Sequence, residues 1–185
     1  MDTNLIFGNI VYIVIALFFL KGALYMVKQK HAVIIERLGK FNKVSKAGLH
    51  FKIPLIDSIA GNVNLRVREL PVEVETKTKD DVFVRIVVSV QFFVIDAPVG
   101  IKDSFYELNN PEQQIQSYVF DSIRSEVPMM ELDDVFAEKE KIALAVKTEL
   151  SDTMRQFGFD FIKALVTDID PDAKVKHSMN EINAA

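Results

Sequence analysis

Residues 5–27 form an almost unbroken apolar run, LIFGNIVYIVIALFFLKGALYMV, in which only Gly8, Asn9, Lys21 and Gly22 are not apolar. As a helix this run would extend about 34 Å, enough to cross a hydrocarbon core of about 30 Å. A cleaved signal peptide fits it poorly: Asp2 stands where a positive charge belongs, the run is too long, and no A-x-A pattern precedes Lys28. A core helix of a soluble domain seldom stays apolar on every side for so long. Lys21 is compatible with a span, because its stem can snorkel towards the interface. The expectation is a single transmembrane helix over residues 5–27 behind a short tail, residues 1–4. Lys28, Lys30, Arg37, Lys40 and Lys43 follow it against Glu36 alone. The positive-inside tendency then predicts a cytoplasmic soluble part, with a periplasmic or extracytoplasmic face as the alternative.

From residue 28 onward the chain carries 25 acids and 21 bases. That mild acidity argues against a nucleic-acid partner, which requires a basic face. The absence of cysteine excludes disulfides, thiolate metal sites, catalytic thiols and palmitoylation, and Asp2 excludes N-myristoylation.

The pattern then passes from strands to helices, the ordering of an α+β fold. Strands are expected at residues 32–38 and 49–53, along Val63, Leu65 and Val67, and at residues 72–77. The strongest is 82–95, whose even positions are all apolar, and the turn Lys79-Asp80-Asp81 pairs it with the preceding strand as a hairpin. From Asn110, a natural N-cap followed by Pro111, Ile115, Val119, Ile123 and Val127 recur every four residues until Pro128. A second helix begins near Asp133-Asp134 with the stripe Ile142, Val146, Leu150, Met154 and Phe157, and Gly158 closes it. A last strand, 161–169, precedes Pro171, and a final helix starts near Asp172.

Little in the chain reads as catalytic. His31, His50 and His177 are far apart and fit no metal spacing, and no G-x-S-x-G, Walker or G-x-G-x-x-G pattern occurs. Asp168, Asp170 and Asp172 resemble the start of a calcium loop, but Ala173 and Met179 stand where its Gly and Glu belong. More informative is the apolar, proline-interrupted stretch Phe51, Ile53, Pro54, Leu55 and Ile56. One reading is a strand end with a packed loop. The other is a monotopic membrane contact, with Lys52 and Asp57 remaining in water.

Glu36-Arg37-Leu38-Gly39-Lys40-Phe41, Ala47-Gly48-Leu49-His50-Phe51 and Pro54, following an N-terminal anchor, resemble the stomatin/prohibitin/flotillin/HflK–HflC (SPFH, or band 7) superfamily. Residues 65–70 (LRVREL), 75–80 (ETKTKD), 118–121 (YVFD), 132–136 (LDDVF) and 179–185 (MNEINAA) resemble its hypersensitive-induced response branch. Plant members begin Met-Gly and are acylated, whereas this chain begins Met-Asp and has the apolar run instead. The resemblance implies a β-rich SPFH1 subdomain at 28–98, an α/β SPFH2 subdomain at 99–171, and the start of a C-terminal coiled helix at 172–185. It also implies a non-enzymatic membrane scaffold that assembles into large homo-oligomeric rings or cages. These organise lipids and confine partner membrane proteins, in some relatives AAA proteases, and no cofactor or metal is implied. The alternative is an anchored regulator of one membrane protease or channel without a large closed assembly. An enzyme, the third reading, would need a polar cleft with perturbed titratable groups.

Val175, Met179 and Ile182 follow 4-then-3 spacing, the beginning of a heptad seam. Either these residues form a lateral contact between identical subunits, or the helix is a short cap on its own domain.

Overall fold

In the part of the chain described by a computed structural model, Tyr12 and residues 21–172, seven strands precede a group of helices and an eighth strand follows them. The chain divides into two units, Met1–Arg66 and Val67–Ala185.

The first unit holds β1 (Leu24–Val27), β2 (His31–Arg37), β3 (Lys40–Ser45), β4 (Gly48–Phe51) and β5 (Asp57–Asn64). Strand β2 runs down the middle of an antiparallel sheet of order β3-β2-β5, and β1 pairs separately with β4. Ala32, Val33, Ile34 and Ile35 of β2 are buried in succession, so both faces of this strand are covered. Val63 and Leu65 are buried as expected, but the strand ends at Asn64 and Val67 is exposed.

The C-terminal end of the apolar run departs from the expected span. Residues 21–23 and Tyr12 are helical, but Leu24–Val27 is a strand hydrogen-bonded to Gly48–Phe51. An all-apolar tetrapeptide suits helix and strand equally, and a partner strand decides between them. Among the described residues no helix is long and apolar enough to cross a membrane. Residues 5–11 and 13–20 of the expected span lie outside the described residues.

The second unit is built on β6 (Arg68–Lys77), β7 (Phe83–Val94) and β8 (Phe159–Pro171), antiparallel in the order β6-β7-β8. Helices α1 (Pro98–Tyr106), α2 (Pro111–Glu126), α3 (Leu132–Ala137) and α4 (Lys139–Met154) lie between β7 and β8 in sequence. Val84, Ile86, Val88, Val90, Phe92 and Val94 are all buried, the even face of β7. Ile115, Val119 and Ile123 of α2 and Ile142, Val146, Leu150 and Met154 of α4 are buried too, and α4 packs on β8 while α2 packs on β6 and α4. Asn110 caps α2, its side chain accepting the Gln113 N–H at 3.2 Å. Gly158 follows in the left-handed region at φ 80°.

The single helix expected from Asp133 onward is broken at Glu138 into α3 and α4, and Phe157 falls in a 3₁₀ turn beyond α4. The turn between β6 and β7 helps to hold this arrangement. Asp80 Oδ1 accepts from Thr78 Oγ1 at 2.6 Å and from the Leu132 N–H at 3.1 Å, so a hairpin turn caps a helix 52 residues away. Because β8 returns to pair with β7, strands β6 and β7 belong with the helical half. The boundary between the two units falls at Arg66/Val67; the family resemblance implies subdomains at 28–98 and 99–171.

Candidate functional site

The β1–β4 ribbon presents two different faces. Its register sets Leu24 opposite Phe51, Tyr25 opposite His50 and Met26 opposite Leu49. Side chains alternate along a strand, and cross-strand partners share a face. Tyr25 and Val27 accordingly point inward, where Val27 packs with Val33 and Ile35, and the Tyr25 hydroxyl meets Ser45 Oγ at 2.5 Å. Leu24, Met26, Leu49 and Phe51 share the other face, and all four are exposed, Met26 by 78% and Leu49 by 69%. Two adjacent pairs of large apolar side chains thus face outward on one short ribbon.

The loop after β4 continues this surface. The Lys52 N–H donates to the Ala23 carbonyl at 2.7 Å, and a Cβ at Gly22 would lie 3.7 Å from the Pro54 ring, so the loop rests on the helical residues 21–23 that precede β1. Asp57 clamps the loop from below: its buried carboxylate accepts from Arg37 Nε at 2.7 Å, from a second guanidinium nitrogen at 3.2 Å, and from the Ile53 N–H at 2.9 Å. What the clamp presents is Leu55, 90% exposed and held at φ 70°. Leu38, 79% exposed at φ 50°, stands in the neighbouring turn, where its N–H donates to the Ile56 carbonyl at 3.1 Å. A left-handed conformation costs a non-glycine residue about 1–2 kcal/mol. Glycine would meet the needs of either turn without that cost. Two adjacent turns therefore hold leucines in a conformation that disfavours them, with side chains that make little use of the fold's own core.

Of the residues singled out from sequence, Phe51, Ile53, Leu55 and Ile56 are exposed and Pro54 is half-buried. The structure brings them beside Leu24, Met26, Leu38 and Leu49, whose part in this surface sequence reasoning missed. An apolar residue at a positive-φ turn, Leu38 before Gly39, was the available signal. Asp57 is buried and ion-paired, so it does not remain in water as expected. Val175, Met179 and Ile182 lie outside the described residues.

The Arg37 hydrogen bonds, aided by the Ile53 N–H, hold the Asp57 carboxyl down at about 2. A depressed carboxyl contributes stability that is full above its unfolded pKa of about 3.9 and is lost as pH falls towards the folded value. Thermal unfolding between pH 6 and pH 2, with Asp57→Asn as reference, is expected to show the advantage of the native chain shrinking only below about pH 4. Parallel curves for the two proteins would refute the clamp.

The histidines within the described residues are packing groups. His50 Nε2 meets the Lys46 carbonyl at 2.5 Å and its ring stacks on Tyr25, while His31 Nδ1 lies 3.2 Å from Asn62 Oδ1. Among the described residues no three His, Cys, Asp or Glu side chains are placed to hold a metal. A groove in the second unit, between α4 and β8, is lined by Leu144, Ile162 and the lysines 139, 141, 147 and 163, with Glu140 its one carboxylate.

Residues 25–185 match the family model described as the SPFH domain / Band 7 family. Hypersensitive-induced response protein 4 of Arabidopsis thaliana is 44% identical over 160 residues, covering 86% of this chain and 54% of the plant protein. Stomatin-like protein stl-1 of Caenorhabditis elegans is 28% identical over 156 residues, 83% of this chain and 46% of the worm protein. An uncharacterized protein of Methanocaldococcus jannaschii is 29% identical over 167 residues, 90% of this chain and 81% of its own length. The chain thus spans about half the length of the plant and worm proteins. With a family model matched over most of its residues, the chain belongs to the SPFH domain / Band 7 family and within it resembles the hypersensitive-induced response branch.

Proposed function

We propose that this chain is a membrane-anchored scaffold that homo-oligomerises into a large ring or cage, organises a membrane microdomain and confines partner membrane proteins, an AAA protease among the candidates. The observation that carries the membrane part is the pair of exposed leucines, Leu38 and Leu55, held at positive φ beside an outward apolar ribbon. Such a surface has the character of an interfacial contact, apolar side chains entering the headgroup boundary while neighbouring lysine stems reach back to water. The ribbon takes in the last four residues of the apolar run, Leu24–Val27, so an anchor formed by the residues before them would deliver this face to the bilayer. Membership of the SPFH family supports the scaffold role.

The lateral part rests on Val175, Met179 and Ile182 as a seam between identical subunits. A repeated side-by-side contact must close into a ring or continue as a filament. Imaging the detergent-extracted chain tests both parts of the assembly reading: uniform large rings are expected, and Met179→Asp with Ile182→Asp should shrink them while circular dichroism stays native. A small oligomer from the native chain would favour an anchored regulator instead. Unchanged rings from the double variant would move the seam elsewhere.

A further inference from the structure

Charge is distributed unevenly along this chain. From Lys21 to Arg66 there are nine Lys and Arg residues against two acids, Glu36 and Asp57; from Val67 onward there are thirteen bases against twenty-three acids. The two acids between Lys21 and Arg66 do little to offset the excess there. Asp57 is buried against Arg37, and Glu36 has an interaction of its own. A protein whose sequence is acidic overall therefore carries a strongly cationic first unit.

The lysines frame the apolar ribbon. Lys28 follows Val27, whose cross-strand partner is Gly48, and so stands at one end of the ribbon. Lys52 stands at the other, directly after Phe51, with its N–H on the Ala23 carbonyl. Lys43 reaches across from β3 to donate to the Phe51 carbonyl at 3.1 Å. Lys21 lies three residues before Leu24, the first residue of the ribbon. No carboxylate forms an ion pair with any of these four among the described residues, although Lys43 lies near enough to Asp57 to help depress its pKa.

Resting on the lipid-contact reading above, we infer that the ribbon recognises anionic lipid: Leu24, Met26, Leu49 and Phe51 enter the interface, and Lys21, Lys28, Lys43 and Lys52 meet the phosphates of an acidic leaflet. An apolar face alone would settle on any bilayer. A basic frame adds a term that exists only where the surface is negative, and that salt screens within about 10 Å at ordinary ionic strength. The two contributions act at one place because β-pairing puts the lysine-bearing ends of β1 and β4 beside their apolar centres. This commits the surface to a bilayer of acidic phospholipid and makes a neutral bilayer the control.

The absence of cysteine from the chain allows a clean test. The full chain carrying Leu49→Cys labelled with an environment-sensitive fluorophore is reconstituted into vesicles of phosphatidylcholine alone or mixed with phosphatidylglycerol. Emission and quenching by spin-labelled lipid report whether the ribbon is inserted. Insertion is expected in the mixed vesicles, reduced about tenfold in the neutral ones and by raised salt. Lys43→Glu with Lys52→Glu should reduce it comparably, and the salt series in the native background makes the test independent of how those variants fold. Equal, salt-insensitive insertion in both vesicles overturns anionic recognition while leaving the lipid contact intact. No insertion in either overturns the contact reading and this inference with it.

Discussion

Gly158→Ala is expected to cost the second unit more than about 4 kcal/mol, a large share of the stability of an ordinary domain. At φ 80° an alanine already pays about 1–2 kcal/mol. Sterics add more: a Cβ there would stand 2.0 Å from the Gly100 carbonyl oxygen and 2.9 Å from the Ser104 nitrogen, both backbone atoms of α1 that cannot turn aside as a side chain would. The Gly158 carbonyl also accepts the Ile95 N–H at 2.9 Å, so retreat would break a bond at the end of β7. Gly39→Ala provides the control, since φ is 78° there but nothing lies within 4 Å of the new methyl, leaving about 1–2 kcal/mol. Hydrogen exchange of β8 and β2 amides reads the two units separately. Equal losses in the two variants would show that α1 does not approach Gly158 this closely.

Leu38→Gly combined with Leu55→Gly is expected to leave the fold stable within about 1 kcal/mol, because relief of two left-handed leucines offsets the extra chain entropy of glycine. The same change should weaken vesicle association of residues 21–185 by at least about tenfold. Removing a large apolar side chain from an apolar contact forfeits roughly 1.5–3 kcal/mol, and about 1.4 kcal/mol is a factor of ten. Vesicle flotation beside thermal unfolding separates the two effects. Loss of stability with binding retained would mean that these leucines serve the fold rather than the membrane.

Much of the second unit is legible locally. The period-two pattern of β7 predicts its buried face residue by residue, and Asn110-Pro111 marks the start of α2. Elements without a strong period were missed. Strand β3, KFNKVS, has an irregular pattern and is a strand because β2 offers it partners; α1 is short, and its Gly100 is needed where the helix passes Ile95. The candidate site was half legible. Phe51, Ile53, Pro54, Leu55 and Ile56 attract attention as apolar residues in a loop. Leu24 and Met26 are invisible as surface residues inside a run that reads as a span.

By itself the sequence determined which residues are apolar, where the two strong periods begin and stop, the cap at Asn110, the glycine at 158 and the family. These depend on neighbours within a few positions, and side-chain period and backbone preference act at that range. Only the tertiary structure decided that Leu24–Val27 is a strand, that Asp57 is a buried clamp and that Asp80 caps α3. Each of these depends on a hydrogen-bond partner 20 or more residues away: Gly48–Phe51 for β1, Arg37 for Asp57, Leu132 for Asp80. A backbone or carboxylate group takes its conformation from whichever partner satisfies it, and at such separations the chain's folding, rather than its local pattern, supplies that partner.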